Sequence, residues 1–399
     1  MAFQGIRRPD GQVATRNYLG VLTSVNCSAT AAKLIAERFR GDALADFPHV
    51  DGVVALTHGS GCGMAAGDGL ELLRRTLTGY ARHPNFAGFL LLGLGCEVNQ
   101  IAAVADGFDV PATTPVPSMT IQEFGGTAAT VREGAARLRE MLPEADRARR
   151  SPVPASELVL GLQCGGSDGY SGITANPALG AASDLLVRHG GTSILGETPE
   201  VYGAEHLLTR RAVDRAVAER LVERIRWWER YTADNGATMD NNPSPGNKAG
   251  GLTTILEKSL AAVAKAGTSN LSAVYGYAEP VTARGLTFMD TPGYDPVSVT
   301  GMVAGGANIV CFTTGRGSVF GCKPVPSIKL ATNTAMYRRM SDDMDLNCGA
   351  ILDGECDVEE MGRRIFALML QVASGRRTRS EELGFGDEEF TPWQLGAVM

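Results

Sequence analysis

The sequence predicts an α/β protein of two lobes, each built on a mainly parallel sheet flanked by helices. Two observations predict this fold class. Five short apolar runs each lead at once into a polar loop, four of them glycine-rich, and helix-like segments lie between the runs. In such sheets ligands bind beyond the carboxyl ends of the strands, where the loops converge. We therefore expect the five loops to line one crevice that contains the active site.

The predicted elements alternate along the chain. The predicted strands are 18–22, 53–56, 89–92, 158–162 and 309–312. The predicted helices, from the spacing of apolar residues, are 28–40, 69–83, 127–140, 176–189, 205–231 and 252–266. Residues 141–154 are charged, contain prolines and lack an apolar period, which is typical of a linker. The expected lobes are 1–145 and 155–399.

Composition narrows the class of function. The chain has 399 residues, of which 44% are hydrophobic and 20% charged, as in a globular enzyme. A formal charge of −7 gives no electrostatic reason to expect nucleic acid or an anionic membrane as partner, so a small molecule is expected. The N-terminus lacks the apolar region of a signal peptide and no apolar run is long enough to span a membrane, which predicts a cytoplasmic protein.

Eight cysteines and no CxxC pair indicate thiols or metal ligands rather than disulfides. The stretch THGSGCGM at 57–64 places His58 and Cys62 on one glycine-rich loop. Such a pair suits a soft divalent metal or a thiolate activated by imidazole. The alternative is that Cys62 is a small buried hydrophobe and His58 caps a helix near Asp68. Cys96 adds another thiol after the next predicted strand.

Nucleotide binding is disfavoured by the glycine patterns. The Gly93-Leu94-Gly95 segment is not followed by the further glycine that a dinucleotide fingerprint requires, and the chain contains no Gly-Lys-Ser/Thr.

The stretch QCGGSDG at 163–169 offers chemistry for an anion. Gly165 and Gly166 can form a nest of N–H groups for an oxyanion, while Ser167 and Asp168 offer a hydrogen-bonding group and a proton carrier. The alternative is a glycine-rich turn in which Asp168 caps a helix.

Two further loops carry a cation each. In NPSPGNK at 242–248, two prolines stiffen the loop that presents Asn247 and Lys248; the alternative is a solvated lysine. In TTGRGS at 313–318, Arg316 stands between two glycines after Thr314. A guanidinium matches a carboxylate bidentately, and the alternative is a structural salt bridge.

These motifs resemble the altronate/galactarate dehydratase family over nearly the whole chain. The matching stretches are ATRNY (14–18), THGSGCG, GLGCE, CGGSDGYSGITANPALG (164–180), ETPEVYGAE (197–205), NPSPGNKAGG (242–251) and TTGRGSVFGCKPVPSIKLATN (313–333). The resemblance implies a sugar-acid hydro-lyase that yields a 2-keto-3-deoxy acid and depends on Fe²⁺ or Mn²⁺. Residues 317–333 and 343–349 look closer to the galactarate branch.

The family's full-length members carry a small N-terminal SAF domain, whereas this sequence starts directly at the region that resembles the catalytic part, and we expect a form without that domain. The chain therefore resembles the stand-alone large subunits, which implies a separate small SAF-domain subunit, and a homo-oligomer is expected. The same organisation occurs in sulfolactate sulfo-lyase, which releases sulfite instead of water, and this is the alternative function. A non-catalytic sugar-acid binding protein is a third hypothesis, disfavoured because it needs no thiols or imidazole at loop tips.

The chemistry distributes roles among the candidate residues. Removing the weakly acidic proton beside a carboxylate and expelling hydroxide both call for a cation or aimed donors. The predicted metal ligands are His58, Cys62, Cys96 and Cys164, with Glu97 and Asp168 as alternatives; the cysteines could equally hold an iron–sulfur cluster with one open iron. The predicted substrate-binding residues are Arg316, Lys248, Asn247, Ser167, Gly165, Gly166 and Thr314. The candidates for proton transfer are Lys248, Asp168 and His58.

Overall fold

The computed structural model describes residues 1–108, 110–111 and 114–396 and contains two parallel sheets flanked by helices, which confirms the predicted fold class. The strands are β1 (Ala2–Arg7), β2 (Val13–Ala14), β3 (Tyr18–Thr23), β4 (Gly52–Leu56), β5 (Phe86–Gly93), β6 (Ser118–Thr120), β7 (Arg150–Pro154), β8 (Val159–Cys164), β9 (Thr192–Leu195), β10 (Leu271–Tyr275), β11 (Gly285–Met289), β12 (Ile309–Thr314), β13 (Ser327–Ala331) and β14 (Leu346–Asn347). All five predicted strands are present.

The α-helices lie mainly between these strands. They are α1 (Ala29–Ala36), α2 (Asp68–Ala81), α3 (Ile101–Asp106), α4 (Thr127–Ala145), α5 (Ala175–Arg188), α6 (His206–Thr209), α7 (Arg215–Asp234), α8 (Pro245–Ala249), α9 (Ile255–Ala264), α10 (Asp295–Ala304), α11 (Thr334–Arg339), α12 (Val358–Ala373) and α13 (Arg379–Glu382). No helix in the described part of the chain has both the length and the apolar character that a membrane crossing requires.

Three sheets organise the chain. The N-terminal sheet has the order β4-β3-β5-β6 and the C-terminal sheet the order β10-β11-β9-β8-β12-β13-β14, with every pairing parallel. A small antiparallel sheet, β2-β1-β7, adjoins them. The central strands β3 and β12 are buried along their whole length, as expected where helices cover both faces.

Strand register brings the ends of neighbouring strands level. In the N-terminal sheet Leu22 pairs with Leu56 of β4 and with Leu91 of β5. In the C-terminal sheet Thr313 of β12 pairs with Cys164 of β8. Because parallel strands end at the same edge, the loops after β3, β4 and β5 adjoin one another, and so do the loops after β8 and β12.

The predicted helix over 205–231 is two helices in the structure. Helix α6 ends at Thr209, and α7 starts after Asp214. The Asp214 carboxylate accepts a hydrogen bond of 2.9 Å from the Val217 amide. An aspartate in this N-cap role begins a new helix instead of continuing the previous one.

The predicted linker contains regular structure. Helix α4 continues through Pro143 to Ala145, and Arg150–Pro154 forms β7, which pairs antiparallel with β1. Strand β7 lies at the edge of its sheet, where prolines are tolerated because their missing N–H groups are not needed by a neighbour.

The two sheets share one apolar core. Leu22 and Leu91 of the N-terminal sheet belong to the same buried cluster as Val310 and Phe312 of β12. The C-terminal segment returns to this core, where Trp393 stacks on Trp228 with ring centroids 5.3 Å apart. Burying a large aliphatic side chain stabilises the fold by about 1.5 to 3 kcal/mol, so this shared cluster couples the lobes energetically.

Candidate active site

Three of the predicted loops meet at the carboxyl edge of the C-terminal sheet. The Asn247 amide donates a hydrogen bond of 2.9 Å to the Ser167 carbonyl, which ties α8 to the loop after β8. The Arg316 amide donates one of 2.8 Å to the Gly166 carbonyl, which ties in the loop after β12. The structure therefore brings Ser167, Asn247 and Arg316 to one place.

Asp168 is the point at which these loops are joined. Its buried carboxylate accepts hydrogen bonds of 3.0 Å from the Thr332 and Ser171 hydroxyls and 3.1 Å from the Asn333 amide. A Cβ atom at Gly315 would lie only 2.0 Å from the Asp168 carboxyl carbon, so only glycine fits there. These contacts give Asp168 a positioning role in the loops after β8, β12 and β13.

Arg316 and Lys248 are exposed on these loops. Within the described ranges neither side chain forms a hydrogen bond or an ion pair, so Arg316 has no structural salt bridge there. Arg316 lies beside Gly166, and Lys248 follows Asn247, which bonds to Ser167. Two uncompensated cations on these adjoining loops are suited to an anionic ligand.

The other predicted substrate-binding groups shape the loops. The Thr314 hydroxyl accepts a hydrogen bond of 3.1 Å from the Gly317 amide, and the Gly165 amide donates one of 3.1 Å to the Thr313 carbonyl. Gly166 has φ of 59°, a conformation that favours glycine, and it is exposed beside Arg316.

A buried network of acidic, basic and thiol groups lies behind this surface. Lys265 Nζ is 2.8 Å from Cys164 Sγ and 2.7 Å from Glu197 Oε2. Lys265 is 0% and Glu197 is 1% exposed, so their charges are neutralised by each other and not by water. Burial is expected to be tolerated only because these groups are paired.

A second ion pair extends the network. Lys258 Nζ lies 2.6 Å from Glu200 Oε1, and Asn242 bonds to both, donating to the carboxylate at 2.8 Å and accepting from the ammonium at 2.9 Å. Gln163 connects the network outward, because its amide donates to Glu197 at 2.7 Å and to Asp295 at 3.0 Å.

Burial and neighbouring charges determine which groups of the network are protonated. Burial raises the pKa of the Cys164 thiol, and Glu197 raises it further, so the thiol stays protonated. Burial lowers the pKa of Lys265, but the adjacent Glu197 carboxylate raises it more, so the ammonium persists. Burial, with Glu197 and Glu200 nearby, raises the pKa of Asp295 to about 8. Asp295 is therefore a protonated acid at neutral pH.

Glu197 has an unusual backbone conformation. Its φ of 63° and ψ of 59° lie in the left-handed region, which few residues other than glycine adopt. Strain of this kind clusters at functional sites, where the surrounding contacts hold it in place. Here the Glu197 amide donates a hydrogen bond of 2.7 Å to the Thr291 hydroxyl.

The sequence interpretation did not identify this network. Glu197, Glu200, Lys258, Lys265 and Asp295 were not among the candidates. One signal was available: Lys258 falls on the buried face of α9 together with Ile255, Ser259 and Ala262. A lysine on an apolar stripe indicates a buried partner of opposite charge.

His58 is fully engaged in its own lobe. Its Nε2 lies 3.0 Å from the Thr23 carbonyl, and its Nδ1 accepts a hydrogen bond of 3.2 Å from the Ser60 amide. Burial lowers the pKa of His58 to about 4, so the ring is neutral. Neither ring nitrogen is free to bind a metal or to exchange a proton with a substrate.

Glu97 pins two loops together. Its carboxylate accepts hydrogen bonds from the Ser24 hydroxyl at 2.6 Å and the Gly95 amide at 2.7 Å. Burial raises the pKa of Glu97, but these hydrogen bonds outweigh burial and lower it. The carboxylate is thus an ionised structural acceptor.

The four predicted metal ligands are not one group in this structure. Cys62 and Cys96 are exposed at the edge of the N-terminal sheet, whereas Cys164 is buried behind the C-terminal loops. In the described part of the chain, one set of ligand atoms lies within 4.8 Å of one another: Cys164, Glu197 and Glu200. This buried group could hold a metal ion.

The fold and the site define a class: an α/β protein in which free cations on loops at the strand ends lie in front of a buried acid–base network. The chain belongs to the galactarate/altronate dehydratase family. The family's sequence profiles match residues 5–146 (D-galactarate dehydratase/altronate hydrolase, second domain) and 155–398 (D-galactarate/altronate dehydratase, C-terminal). The resemblance stated from the motifs is confirmed.

Several relatives match over almost the whole chain. An altronate dehydratase of Bacillus subtilis (strain 168) is 38% identical over 383 residues, covering 96% of this chain and 76% of that protein. A galactarate dehydratase (L-threo-forming) of Escherichia coli (strain K12) is 41% identical over 394 residues, which cover 97% of this chain and 75% of that protein. The (2R)-sulfolactate sulfo-lyase subunit beta of Chromohalobacter salexigens is 34% identical over 388 residues, which cover 96% of this chain and 95% of that protein.

Proposed function

We propose that this protein is a carbon–oxygen lyase that dehydrates a polyhydroxy carboxylate, of the galactarate or altronate type, to a 2-keto-3-deoxy acid. The observation that carries the proposal is the pair of free cations, Arg316 and Lys248, on loops that meet at Gly166 in front of buried acids. Family membership supports it, because relatives at 35–41% identity are named altronate and galactarate dehydratases.

The exposed loops bind the substrate in this proposal. Arg316 binds the carboxylate with its planar guanidinium, and Lys248 neutralises the remaining charge or binds a hydroxyl. Gly166 is exposed beside Arg316 and gives the substrate access to the backbone, whereas Gly165 and Ser167 are buried and support that loop. Asn247 and Thr314 contribute by holding these loops, since their polar atoms already bond within the protein.

The elimination needs a base and an acid. The base removes the proton beside the carboxylate, and the acid protonates the departing hydroxyl so that water leaves. Asp295 is protonated at neutral pH and lies at the outer end of the network, which suits the acid. Asp168 remains the candidate for the base. Lys248 is left out because it acts here as a cation that binds the substrate, and His58 is left out because both of its ring nitrogens are bonded. The resulting enol tautomerises to the keto acid.

The Cys164 group fits a divalent ion by spacing but not by charge. Fe²⁺ or Mn²⁺ prefers deprotonated ligands, whereas the Cys164 thiol is protonated and both carboxylates already pair with ammonium groups. An ion there has to displace Lys265. An iron–sulfur cluster, the alternative cofactor, needs cysteines elsewhere, because this group contains one thiol.

The experiment is anaerobic incubation of the chain with galactarate and with altronate, followed by a 2-keto acid assay. Arg316→Ala is expected to abolish turnover, because it removes the carboxylate clamp. Arg230→Ala, which removes an exposed arginine of α7, is the matched control and is expected to retain it. Equal turnover in both variants would refute the assignment of Arg316.

Sulfite release is the second candidate reaction. It is supported by the 34% identity of this chain to the sulfo-lyase subunit. A sulfite assay with sulfolactate, run beside the 2-keto acid assay, separates the two reactions.

The proposal includes its partners and its location. The name of the sulfo-lyase subunit marks it as one part of a larger enzyme, which supports a separate small subunit with an SAF domain. We also propose a homo-oligomer and a cytoplasmic location, the latter supported by eight free cysteines. Size-exclusion chromatography with light scattering measures the assembly.

A further inference from the structure

The exposure of the cysteines is uneven across the chain. Cysteine is among the most often buried residues, and Cys164, Cys311, Cys322 and Cys348 follow that rule while Cys356 is half-buried. The three exposed cysteines are Cys27, Cys62 and Cys96. They follow β3, β4 and β5, three adjacent strands of one sheet, so all the exposed thiols lie along one edge.

Hydrogen bonds hold the three cysteine loops against one another. The Asn26 amide, next to Cys27, donates to the Ser60 carbonyl at 2.9 Å. The Cys62 carbonyl in turn accepts a hydrogen bond of 2.9 Å from the Val98 amide, two residues after Cys96. The loops are thus joined in a row, with the Cys62 loop bonded to both of the others.

Buried polar groups fix this arrangement from behind. Ser24 receives the Asn99 side chain on its carbonyl at 3.2 Å and donates its hydroxyl to Glu97 at 2.6 Å. The imidazole of His58 bonds to Thr23 at 3.0 Å. The polar residues of these loops therefore support the backbone that carries the thiols. This structural role accounts for the buried His58 and Glu97, so neither is needed as a ligand.

The space in front of the loops is open. A Cβ atom at Gly61, next to Cys62, would meet nothing within 4 Å, and one at Gly59 would meet only the Gln394 side chain. Glycines at these positions leave room for a bulky group to approach the backbone closely.

The sulfur atoms of the three exposed cysteines are not close enough together to share a single ion. In the described part of the chain, the three thiols do not form a group with all ligand atoms within 4.8 Å of one another. A tetrahedral ion with metal–sulfur bonds of about 2.3 Å needs its thiolates closer than that. An iron–sulfur cluster binds its cysteines at separate irons and spreads them farther apart.

We infer that Cys27, Cys62 and Cys96 bind a four-iron, four-sulfur cluster, in which three irons have a cysteine ligand and the fourth is open to a small oxygen ligand. Cys27 thus replaces Cys164 as the third thiol. Binding needs ferrous iron and sulfide, and each cysteine loses its proton when it binds iron. The inference does not depend on the proposed dehydration, since it rests on the three loops alone.

The test is anaerobic reconstitution of the full chain with ferrous iron and sulfide, followed by analysis of iron, acid-labile sulfide and visible absorption. The wild type is expected to bind about four irons and four sulfides per chain and to absorb broadly in the visible range. Cys27→Ser, Cys62→Ser and Cys96→Ser are each expected to lose most of the iron and the visible band. Cys356→Ser, a thiol of the other lobe, is the matched control and is expected to keep both.

Three outcomes would overturn the inference: iron without sulfide, full cluster content in each of the three variants, or loss in the Cys356→Ser control as well. Circular dichroism of every variant shows that loss of iron is not loss of fold. Turnover distinguishes the two proposals. A chain that dehydrates a sugar acid but holds no iron and sulfide after reconstitution refutes the cluster alone, whereas a chain that holds the cluster and converts no sugar acid refutes the proposed function alone.

Discussion

At the scale of single residues, the candidate site depends on charges that are buried and paired. Lys265 and Glu197 form an ion pair of 2.7 Å at 0% and 1% exposure, and Lys248 stands exposed only a few residues away from Asn242 of the same network. Burying a charge is tolerated when a partner of opposite sign accompanies it. The two lysines therefore differ in role: Lys265 is buried and needs its ion pair with Glu197, whereas Lys248 is exposed and can pair with a ligand.

Replacement of Lys265 by methionine is expected to destabilise the protein strongly. The change leaves the Glu197 carboxylate buried without its counter-ion, which typically costs about 3 to 5 kcal/mol. Lys248→Met removes an exposed charge and is expected to change the free energy of unfolding by less than about 0.5 kcal/mol. Urea denaturation followed by circular dichroism measures both values. Similar losses in the two variants would show that the ion pair contributes little.

Asp295 predicts a specific pH dependence. Its pKa is about 8 in the folded protein and near 3.8 in the unfolded chain, so the folded state binds a proton that the unfolded state has released between these values. The contribution of Asp295 to stability is therefore present below pH 4 and is lost as the pH rises through about 8. Asp295→Asn cannot titrate, so its stability relative to the wild type is expected to increase with pH over this range.

Denaturation series between pH 4.5 and 8.5 test this relation. A stability difference between Asp295→Asn and the wild type that stays constant with pH would contradict it. The same titration predicts that turnover falls above about pH 8, when the acid has lost its proton.

At the scale of elements, the loops after β8, β12 and β13 are held in one arrangement by close backbone contacts. Gly315 lies so near the Asp168 carboxylate that no side chain fits between them. Gly315→Ala is expected to displace Arg316 and lower kcat/KM by about 100-fold, since small misplacements of positioning groups have effects of that size.

Gly107→Ala is the matched control for that variant. A Cβ atom at Gly107 would have its nearest neighbour at 3.5 Å, an ordinary contact, so activity is expected to be retained. Steady-state kinetics on the substrate identified for the wild type compare the two. An unchanged kcat/KM in Gly315→Ala would show that the loop adapts.

The elements were largely predictable from the sequence, and the site only in part. The five strands were found because runs such as 18–22 and 309–312 are apolar and end in polar loops. The loops of Ser167 and Arg316 were placed together because parallel strands end at one edge, whereas the loop of Asn247 was chosen for its stiffness. Helix α7 was missed as a separate element because its N-cap, Asp214, lies within an amphipathic stretch.

The buried network was harder to predict because it depends on contacts distant in sequence. Glu197 meets Lys265 across 68 positions, and Cys164 meets Lys265 across 101. Spacing along the chain carries no record of such pairs. For the same reason the sequence placed Cys164 with Cys62 and Cys96, although the two sets lie on different sheets.

At the scale of the whole molecule, the lobes are expected to unfold together. The N-terminal residue Arg16 forms a buried ion pair of 2.6 Å with Glu381, and the chain's three tryptophans, at 227, 228 and 393, contact one another where the C-terminal segment returns to the shared core. Elements so far apart in sequence that share one core favour a single cooperative transition.

Urea unfolding followed by two probes tests this cooperativity. Tryptophan fluorescence reports on the shared core and far-ultraviolet circular dichroism on all helices and strands, and the two transitions are expected to coincide. A fluorescence change at lower urea concentration would show that the C-terminal segment detaches before the lobes unfold.

The most direct measurement of the proposed function is the reaction of the anaerobic, reconstituted protein with galactarate and with altronate in deuterium oxide, followed by mass spectrometry and proton NMR of the product. The account predicts a 2-keto acid that has lost one water and has gained a single deuterium at the carbon next to the keto group, because the enol takes that hydrogen from solvent. It also predicts no product with Arg316→Ala. Unchanged sugar acids with the wild type, or equal conversion by Arg316→Ala, would contradict the account.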